Sequence, residues 1–354
     1  MKKHNFSAGP CILPEEVFQK SAEAILDFNG IGLSLLEISH RSKDFVAVMD
    51  EARTIVKRLM NLNDEYEVLY LGGGASLQFA MVPFNLMNAE NGKAAYLDTG
   101  TWAAGAIKEA KKLGQVDIVG SSKAENYTFI PKDYAVGNDY DYFHCTSNNT
   151  IYGTQMKAFP KVDTRMVCDM SSDIFSRVID FSQFDLIYAG AQKNMGPAGT
   201  VLVVVKKEIL GKTGRDIPSY LDYSLHIAKE SMYNTPPVFP VYASLLTLQH
   251  LENNGGIAAA EQRNIAKAEL LYNEIDANPL FEGFAQKEDR SLMNVSFRLT
   301  DDALKETFDA AWKDAGISGL NGHRSVGGYR ASIYNAMPIE SVKVLVDVMK
   351  NFKP

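Results

Sequence analysis

The sequence has few cysteines, and their spacing excludes the sites that cysteines usually build. Cys11, Cys145 and Cys168 are the only three in 354 residues, and they lie far apart in the sequence. They form neither a metal-binding pair nor a disulfide framework, so no metal site is predicted. Free thiols are typical of a reducing compartment, and we expect a cytoplasmic protein in which each cysteine is a small core or pocket residue.

The sequence also lacks an excess of positive charge and a long apolar run. Its 36 Lys and Arg are outnumbered by 43 Asp and Glu, for a formal net charge of −7, which argues against nucleic acid as the main partner. No apolar run approaches the roughly 20 residues that span a bilayer. A loop-like segment at residues 7–10 stands where a signal peptide would have its apolar region, so we expect neither a signal peptide nor a membrane partner.

What the sequence does contain is a regular alternation of strand-like and helix-like segments. Apolar and β-branched runs predict strands at residues 67–71, 93–97, 115–119, 140–145, 165–168, 184–187 and 201–205. Amphipathic or helix-forming segments lie between many of them. This order predicts an α/β fold with a large domain, built on a mostly parallel, seven-stranded-type sheet that is flanked by helices.

The length of the chain and a break in its pattern predict a second domain. A chain of 354 residues is longer than a single core usually allows. Residues 253–256 (Asn-Asn-Gly-Gly) separate two predicted helices and mark the boundary. We therefore expect a large cofactor-binding domain at residues 16–255, and a smaller α+β domain formed by residues 1–15 together with 256–354.

Lys193 stands in a predicted turn between two core strands. The segment from residue 188 reads Tyr-Ala-Gly-Ala-Gln-Lys-Asn-Met-Gly-Pro, with few polar residues to solvate the ammonium. Burial would disfavour the charged form, lower the pKa and leave an amine that can form a Schiff base with an aldehyde. The alternative is a surface lysine on a hairpin turn, and this segment alone does not decide between them.

A glycine-rich loop offers a candidate anion site. Residues 72–76 (Gly-Gly-Gly-Ala-Ser) follow a predicted strand and open a predicted helix. Glycines allow close approach of the backbone, and the helix N-terminus presents free N–H groups, so the loop predicts a phosphate cup. It is not a dinucleotide fingerprint, since Leu77 stands where the last glycine would be, and it is not a P-loop, since no Gly-Lys-Ser/Thr follows. The alternative is a tight strand–helix turn.

Further candidate residues follow strands of the same sheet. Asp169 ends a strand, where a carboxylate could face a pyridinium nitrogen, or could instead cap the segment after it. Trp102 could stack on a planar ring, or could instead be a core tryptophan. Thr150 and Gln192 could form hydrogen bonds to ring substituents.

Five basic residues are candidates for binding an anionic substrate. Arginine's planar fork holds carboxylates and phosphates in a fixed orientation. Singly, each basic residue is more often a surface charge or an ion-pair partner. The five are His40, Arg41, His323, Arg324 and Arg330.

Together, the phosphate cup, aromatic platform, strand-end acid and flanked lysine are the parts of a pyridoxal phosphate site. On these residues the sequence resembles the phosphoserine aminotransferase family, which belongs to the class V aminotransferases of pyridoxal-phosphate fold type I. The resemblance runs from residues 5–10 (Asn-Phe-Ser-Ala-Gly-Pro) to 330–338 and covers nearly the whole chain. Its most specific segments are residues 39–41, 188–194 and 327–338.

The resemblance implies a role for each candidate residue. Lys193 would be the Schiff-base lysine, Asp169 the partner of the pyridine nitrogen, and Trp102 the stacking residue, with Thr150 near the 3-hydroxyl of pyridoxal 5′-phosphate. The cofactor phosphate would be held by Ala75, Ser76, Gln192, Asn234 and Thr235. Since the last two would reach the cofactor of a neighbouring subunit, the resemblance implies a homodimer with shared active sites.

The resemblance also implies the reaction. The family transfers an amino group from L-glutamate to 3-phosphohydroxypyruvate, giving O-phospho-L-serine and 2-oxoglutarate in serine biosynthesis, and family members also act in pyridoxine biosynthesis by forming 4-phosphohydroxy-L-threonine. Arg330 would bind the α-carboxylate. Some members carry an arginine in the glycine loop, which this sequence lacks, so the distal anionic group would fall to His40, Arg41, His323 and Arg324. The alternatives are another class V transaminase or lyase, or a non-catalytic binder of a phosphorylated metabolite.

Overall fold

The computed structural model describes residues 2–353 and has a seven-stranded sheet at its centre. The strands, in spatial order, are β2 (Tyr66–Leu71), β10 (Val201–Lys206), β9 (Leu186–Gly190), β8 (Met166–Asp169), β5 (Tyr142–Thr146), β3 (Lys93–Asp98) and β4 (Gln115–Ser121). Strands β9, β8, β5, β3 and β4 pair in parallel, whereas β10 is antiparallel to both of its neighbours. The predicted α/β fold with a mostly parallel, seven-stranded sheet is therefore confirmed.

The topology brings the predicted site segments to one edge of this sheet. Because β10 is antiparallel to both β2 and β9, with Val201 opposite Leu71 and Gly190, β2 runs in the same direction as β9. The carboxyl ends of β2, β3, β5, β8 and β9 therefore meet at the same edge. Ligands of open α/β sheets bind at this edge.

Helices cover both faces of the sheet. The helices are α1 (Glu15–Leu26), α2 (Lys43–Met60), α3 (Gly74–Leu86), α4 (Thr101–Ala110), α5 (Ala191–Asn194), α6 (Tyr223–Ala228), α7 (Val238–Asn253), α8 (Gly256–Ala277), α9 (Lys305–Asp314) and α10 (Ile339–Asn351). Along β10, Val201, Val203 and Val205 pack into one core, while Leu202 and Val204 pack into the core on the other face. This two-sided burial explains why the strand is a continuous apolar run.

A third core lies outside the large sheet. It is built around the antiparallel strands β11 (Phe281–Gly283), β12 (Asn294–Leu299) and β14 (Tyr329–Ser332), with residues of α8, α9 and α10. Strand β1 (His4–Asn5) pairs in parallel with β13 (Ile317–Ser318), which brings Phe6 into this core. The short strands β6 (Asn148–Asn149) and β7 (Thr154–Gln155) pair with each other. The separate core supports the predicted domain division near residue 255, which stays a prediction.

Two local predictions differ from the structure. Lys193 lies on the short helix α5 rather than in a turn without helix, because Met195 N–H bonds back to the carbonyl of Ala191 (3.3 Å). The helix that follows β3 is predicted to start at residue 103 but begins at Thr101, so Trp102 lies inside the first turn of α4. Among the helices of residues 2–353, none combines the length and the apolar composition that crossing a bilayer requires.

Candidate active site

Lys193 is at the centre of the candidate site. Its Nζ donates a hydrogen bond to Thr150 Oγ1 (2.8 Å) and lies 5.7 Å from the centre of the Trp102 ring. Burial lowers the pKa of Lys193 to about 8; Asp169 opposes this shift, and Arg330 adds to it. The fraction of free amine at pH 7 therefore rises from less than about one in a thousand to about one in ten. The surface-lysine alternative does not fit this environment.

The N-terminal segment holds the backbone of the Lys193 helix, a role that the sequence did not reveal. Cys11 N–H donates to the carbonyl of Gln192 (3.2 Å), and the Cys11 thiol donates to the carbonyl of Lys193. The same segment is anchored to the chain just after β14, because Tyr334 OH donates to the carbonyl of Ala8 (2.7 Å). We call residues 7–14 the N-terminal strap. It positions Lys193 from a distance of 182 residues in the sequence.

Asp169 ends β8 as a buried carboxylate, with 4% of its surface exposed. Its Oδ1 accepts a hydrogen bond from Ser171 N–H (2.9 Å). Burial raises the pKa of Asp169, and both Ser171 and the Lys193 ammonium counteract that rise. A buried carboxylate is stabilised by a cationic partner, so a protonated ring nitrogen suits this position.

Trp102 lies at the start of α4 and Thr150 lies directly after β6, and a hydrogen bond joins these two segments. Trp102 is 39% exposed, which excludes the core-tryptophan alternative and leaves a ring face available for stacking. Beside it, Thr101 Oγ1 and Tyr152 OH are 2.9 Å apart. Tyr152 is thus a contributor that sequence reasoning missed, because its partner is distant along the chain.

The glycine loop has the geometry of an anion cup. Gly73 has φ +84° and Gly74 has φ +62°, a region that favours glycine. A Cβ on Gly73 would lie 2.4 Å from Leu77 Cδ2. Helix α3 begins here without a side-chain cap, so the N–H groups beside Ala75 and Ser76 are free to bind a phosphate.

Among the basic candidates, Arg330, Arg324 and His323 belong to one group. Arg330 lies on β14 and has a buried Nε without a hydrogen-bond partner among residues 2–353. Burial, together with the charges of Arg330 and Arg324, lowers the pKa of His323, and the Arg330 charge adds to the burial that lowers the pKa of Lys193. Burial lowers the pKa of Arg330 itself, and an anion beside it would offset that cost.

The other predicted residues are not joined to Lys193 within this chain. Among residues 2–353, the hydrogen bonds and ion pairs do not link His40, Arg41, Asn234 or Thr235 to it. His40 nevertheless has a buried Nε2 without a partner in the same range, which suits an anionic ligand. The side chain of Asn234 donates to the carbonyl of Thr235 (3.0 Å).

The chemical groups at this site match the parts of pyridoxal 5′-phosphate. A lysine with a lowered pKa, a buried acid, an exposed indole face and a helix N-terminus lie at the carboxyl ends of β9, β8, β3 and β2, respectively, which meet at one edge of the sheet. Gln192 lies next to Lys193 on α5. Lys193 can hold an aldehyde, Asp169 a pyridinium nitrogen and Trp102 a ring. The N-terminus of α3 can hold a phosphate.

Comparisons with known proteins agree with this chemistry. The family model described as Aminotransferase class-V matches residues 3–345. The phosphoserine aminotransferase of Flavobacterium psychrophilum is 71% identical over 354 residues, which covers 100% of this chain and 99% of the relative. The relative is therefore similar over its whole length.

Solved structures are similar to this fold over nearly all of both chains. Phosphoserine aminotransferase from Bacillus circulans subsp. alkalophilus superposes with a TM-score of 0.95 at 42% identity, covering 99% of this chain and 98% of that one. Pyridoxal-phosphate-bound phosphoserine aminotransferase from Trichomonas vaginalis gives a TM-score of 0.93 at 34% identity, with 99% and 100% covered.

Proposed function

Because this chain belongs to the class V aminotransferases, and within them to the phosphoserine aminotransferase family, we propose that it transfers an amino group between L-glutamate and 3-phosphohydroxypyruvate. The products are 2-oxoglutarate and O-phospho-L-serine. The observation that carries this proposal is Lys193, since its lowered pKa and its hydrogen bond to Thr150 suit an amine that holds an aldehyde cofactor.

The residues around Lys193 would hold pyridoxal 5′-phosphate. Lys193 Nζ would bind its aldehyde carbon covalently, Asp169 would pair with its ring nitrogen, and Trp102 would cover one ring face. The residues proposed for its phosphate are Ala75, Ser76 and Gln192, with Asn234 and Thr235 from a neighbouring subunit. When bound, the cofactor supplies a ring that accepts the electron pair of the Cα–H bond.

The chain's own residues then bind the substrate and move one proton. Once the substrate's amino group has displaced it from the aldehyde carbon, Lys193 Nζ would take the proton from the substrate Cα and deliver it to that former aldehyde carbon, for which a pKa near neutrality is favourable. Asp169 keeps its negative charge opposite the ring nitrogen. Arg330 binds the α-carboxylate that both substrates share, since its fork can hold a carboxylate by two hydrogen bonds.

The distal phosphate or side-chain carboxylate would fall to four residues. The glycine loop contains no arginine between Gly72 and Leu77, so the positive charge must come from elsewhere. The four are His40, Arg41, His323 and Arg324. The buried Nε2 of His40, which has no hydrogen-bond partner among residues 2–353, supports its role in this group.

We further propose a homodimer with shared active sites, and a cytoplasmic location. Asn234 and Thr235 form no hydrogen bond with Lys193 among the described residues, which is consistent with a role at a partner's cofactor. The same site would accept the substrate that gives 4-phosphohydroxy-L-threonine, because that product has the same α-carboxylate and distal phosphate.

The substrate assignment is tested by comparing two amino donors in the reverse reaction. With 2-oxoglutarate as acceptor, O-phospho-L-serine should have a kcat/KM about 10³-fold or more above that of L-serine, because a site built for a phosphate leaves its polar groups unpaired without one. The measurement is the initial rate of glutamate formation. Equal kcat/KM values for the two donors would rule out a phosphate site.

A matched variant identifies the phosphate-binding group. Replacing both His40 and Arg41 with alanine should lower kcat/KM for O-phospho-L-serine and leave the value for L-serine unchanged. A parallel loss for both donors would mean that these two residues act on the fold or the cofactor instead.

Arg330→Ala should raise KM for L-glutamate and for 3-phosphohydroxypyruvate together, each by roughly 30-fold or more, because a charge-assisted, two-pronged contact to the shared carboxylate is lost. Steady-state kinetics with each substrate varied in turn provides the measurement. Arg324→Ala is the control and should affect the phosphorylated substrate more. An effect of Arg330→Ala on one substrate alone would contradict the shared role.

The alternatives find less support in this chain. A desulfurase-type lyase needs a mobile, reactive cysteine, but Cys145 and Cys168 are fully buried. Cys11 packs against the Lys193 backbone, and burial raises its pKa to about 12, so it is a poor nucleophile. A non-catalytic binder would not need the lowered pKa of Lys193.

A further inference from the structure

A cavity of about 470 Å³ lies against the Lys193 helix. It is enclosed by the N-terminal strap, the C-terminal half of α7, one face of α8 and residues 335–340, which lead into α10. Its volume is within the usual range of about 300–1,000 Å³ for small-molecule sites. The proposed function assigns it no role.

The cavity shares a wall with the candidate active site but is a separate space. Lys193 and Asn194 line it, whereas Trp102, Thr150 and Asp169 do not. The wall is held by hydrogen bonds, since Asn194 Oδ1 accepts from Asn335 N–H (2.9 Å). Anything that fills the cavity therefore contacts the helix that carries Lys193.

Most of the cavity wall is apolar. Ile12 of the strap, Leu248 and Leu251 of α7, and Met337 all line it. Apolar walls offer few hydrogen bonds to water, so displacing water from this volume by an apolar group is favourable.

One side of the cavity is cationic, and the part of the chain that the structure describes supplies no counter-ion there. Lys267 lines it with only 1% of its surface exposed, and its Nζ donates to the carbonyls of Ile333 (2.9 Å) and Tyr334 (2.6 Å). An ammonium has three hydrogens, so one remains. Arg263 lies one helical turn earlier on α8 and donates to the carbonyl of Asn254 (3.1 Å). Neither cation forms an ion pair with a carboxylate of residues 2–353.

The other charged groups at the cavity do not neutralise these cations. Glu15 is exposed and pairs with Lys2, and Glu340 is exposed at the start of α10. His250 pairs with Glu16 (2.9 Å). Burial lowers the pKa of Lys267 to about 7, and Arg263 adds to this effect. A ligand anion would offset both the burial of the Lys267 ammonium and its repulsion by Arg263.

We infer that this cavity is a second binding site, for a small monocarboxylic acid with an apolar body. The carboxylate binds Lys267 and Arg263, and the apolar body packs on Ile12, Leu248 and Leu251. Because Lys193 and Asn194 form part of the wall, occupancy changes the turnover of the enzyme without competing with its substrates.

The binding test uses 4-(trifluoromethyl)benzoate, followed by fluorine NMR on the cofactor-loaded enzyme. The probe should bind the wild type, and 4-(trifluoromethyl)benzyl alcohol, which has the same body without the charge, should bind about tenfold more weakly or worse. Equal affinity of acid and alcohol would overturn the carboxylate assignment, and absence of binding by the acid would overturn the site.

Three variants locate the probe. Lys267→Met removes the charge at similar length, and Ala266→Phe, on α8 between the two cations, fills the cavity without altering either one; each should weaken binding about tenfold or more. Arg330→Ala, in the candidate active site, should leave it unchanged. Loss of binding in Arg330→Ala with retention in Ala266→Phe would place the probe in the active site and refute the inference.

The coupling test measures kcat for amino transfer at saturating substrates. For the wild type, kcat with saturating probe should differ from kcat without probe by about fivefold. For Ala266→Phe, adding the probe should not change kcat. Inhibition that is purely competitive with L-glutamate would contradict a separate site. This outcome is distinguishable from failure of the proposed function, in which the wild type would not transfer amino groups at all.

Discussion

Replacing Lys193 with alanine is expected to lower kcat for amino transfer by roughly 10⁴-fold or more, because in the proposed mechanism this one side chain both attaches the cofactor and moves the substrate proton. The substitution removes an amine that lies 2.8 Å from Thr150 Oγ1 and 5.7 Å from the centre of the Trp102 ring. The purified variant should also contain no covalently attached cofactor. The measurements are steady-state kinetics and mass spectrometry after borohydride reduction.

Lys157 provides a matched control for this experiment. Burial also lowers the pKa of Lys157 to about 8, but its Nζ donates to Gln155 Oε1 (3.3 Å) and to the carbonyl of Arg290. Lys157→Gln should retain both the attached cofactor and most of the activity. If Lys193→Ala still turned over, or if borohydride fixed the cofactor on Lys157, the assignment of Lys193 would be wrong.

Asp169→Asn is expected to lower kcat by roughly 10²-fold or more while leaving the cofactor attached to Lys193, because a neutral amide cannot balance a protonated ring nitrogen. Asparagine has nearly the same shape and can still accept a hydrogen bond from Ser171. KM values should therefore change less than kcat. The measurements are kcat, KM and the mass of the borohydride-reduced protein.

A second buried carboxylate, Asp173, provides a control. It distinguishes the effect of losing a charge beside the cofactor ring from the effect of losing any buried charge. Asp173 is also buried, but its oxygens accept hydrogen bonds from Ser147, Gln155 and Arg177. Asp173→Asn should lower thermal stability, since Arg177 loses its buried partner, and should spare kcat per folded enzyme. Equal losses of kcat in the two variants would refute a specific role for Asp169.

Much of the fold was predictable because its signals are local. The run from Val201 to Val205 reads as a strand that is buried on both faces, and the structure packs it between two cores. The order of strands and helices likewise predicts a sheet with a ligand-binding edge. The same local signals predict that Trp102, Thr150 and Asp169 follow strands of that sheet.

Other features depend on contacts that are remote in the sequence. That β10 enters the sheet between β2 and β9, antiparallel to both, does not follow from its composition, since an apolar strand can pair in either direction. The hydrogen bond between Thr101 and Tyr152 was also missed, because its two partners lie on different segments. The short helix at Lys193 was missed because the small residues and Pro197 around it are typical of a turn.

By itself, the sequence determined which chemical groups are present and that they follow strands of one sheet, because strand and turn preferences act over a few residues. Tertiary structure alone decided which of the alternatives holds for Lys193 and Trp102. Burial, and hence a pKa, is set by residues that meet only after folding, as when Cys11 packs against a lysine 182 residues away. The cavity beside that lysine has the same origin, since its walls come from segments that are far apart in the chain.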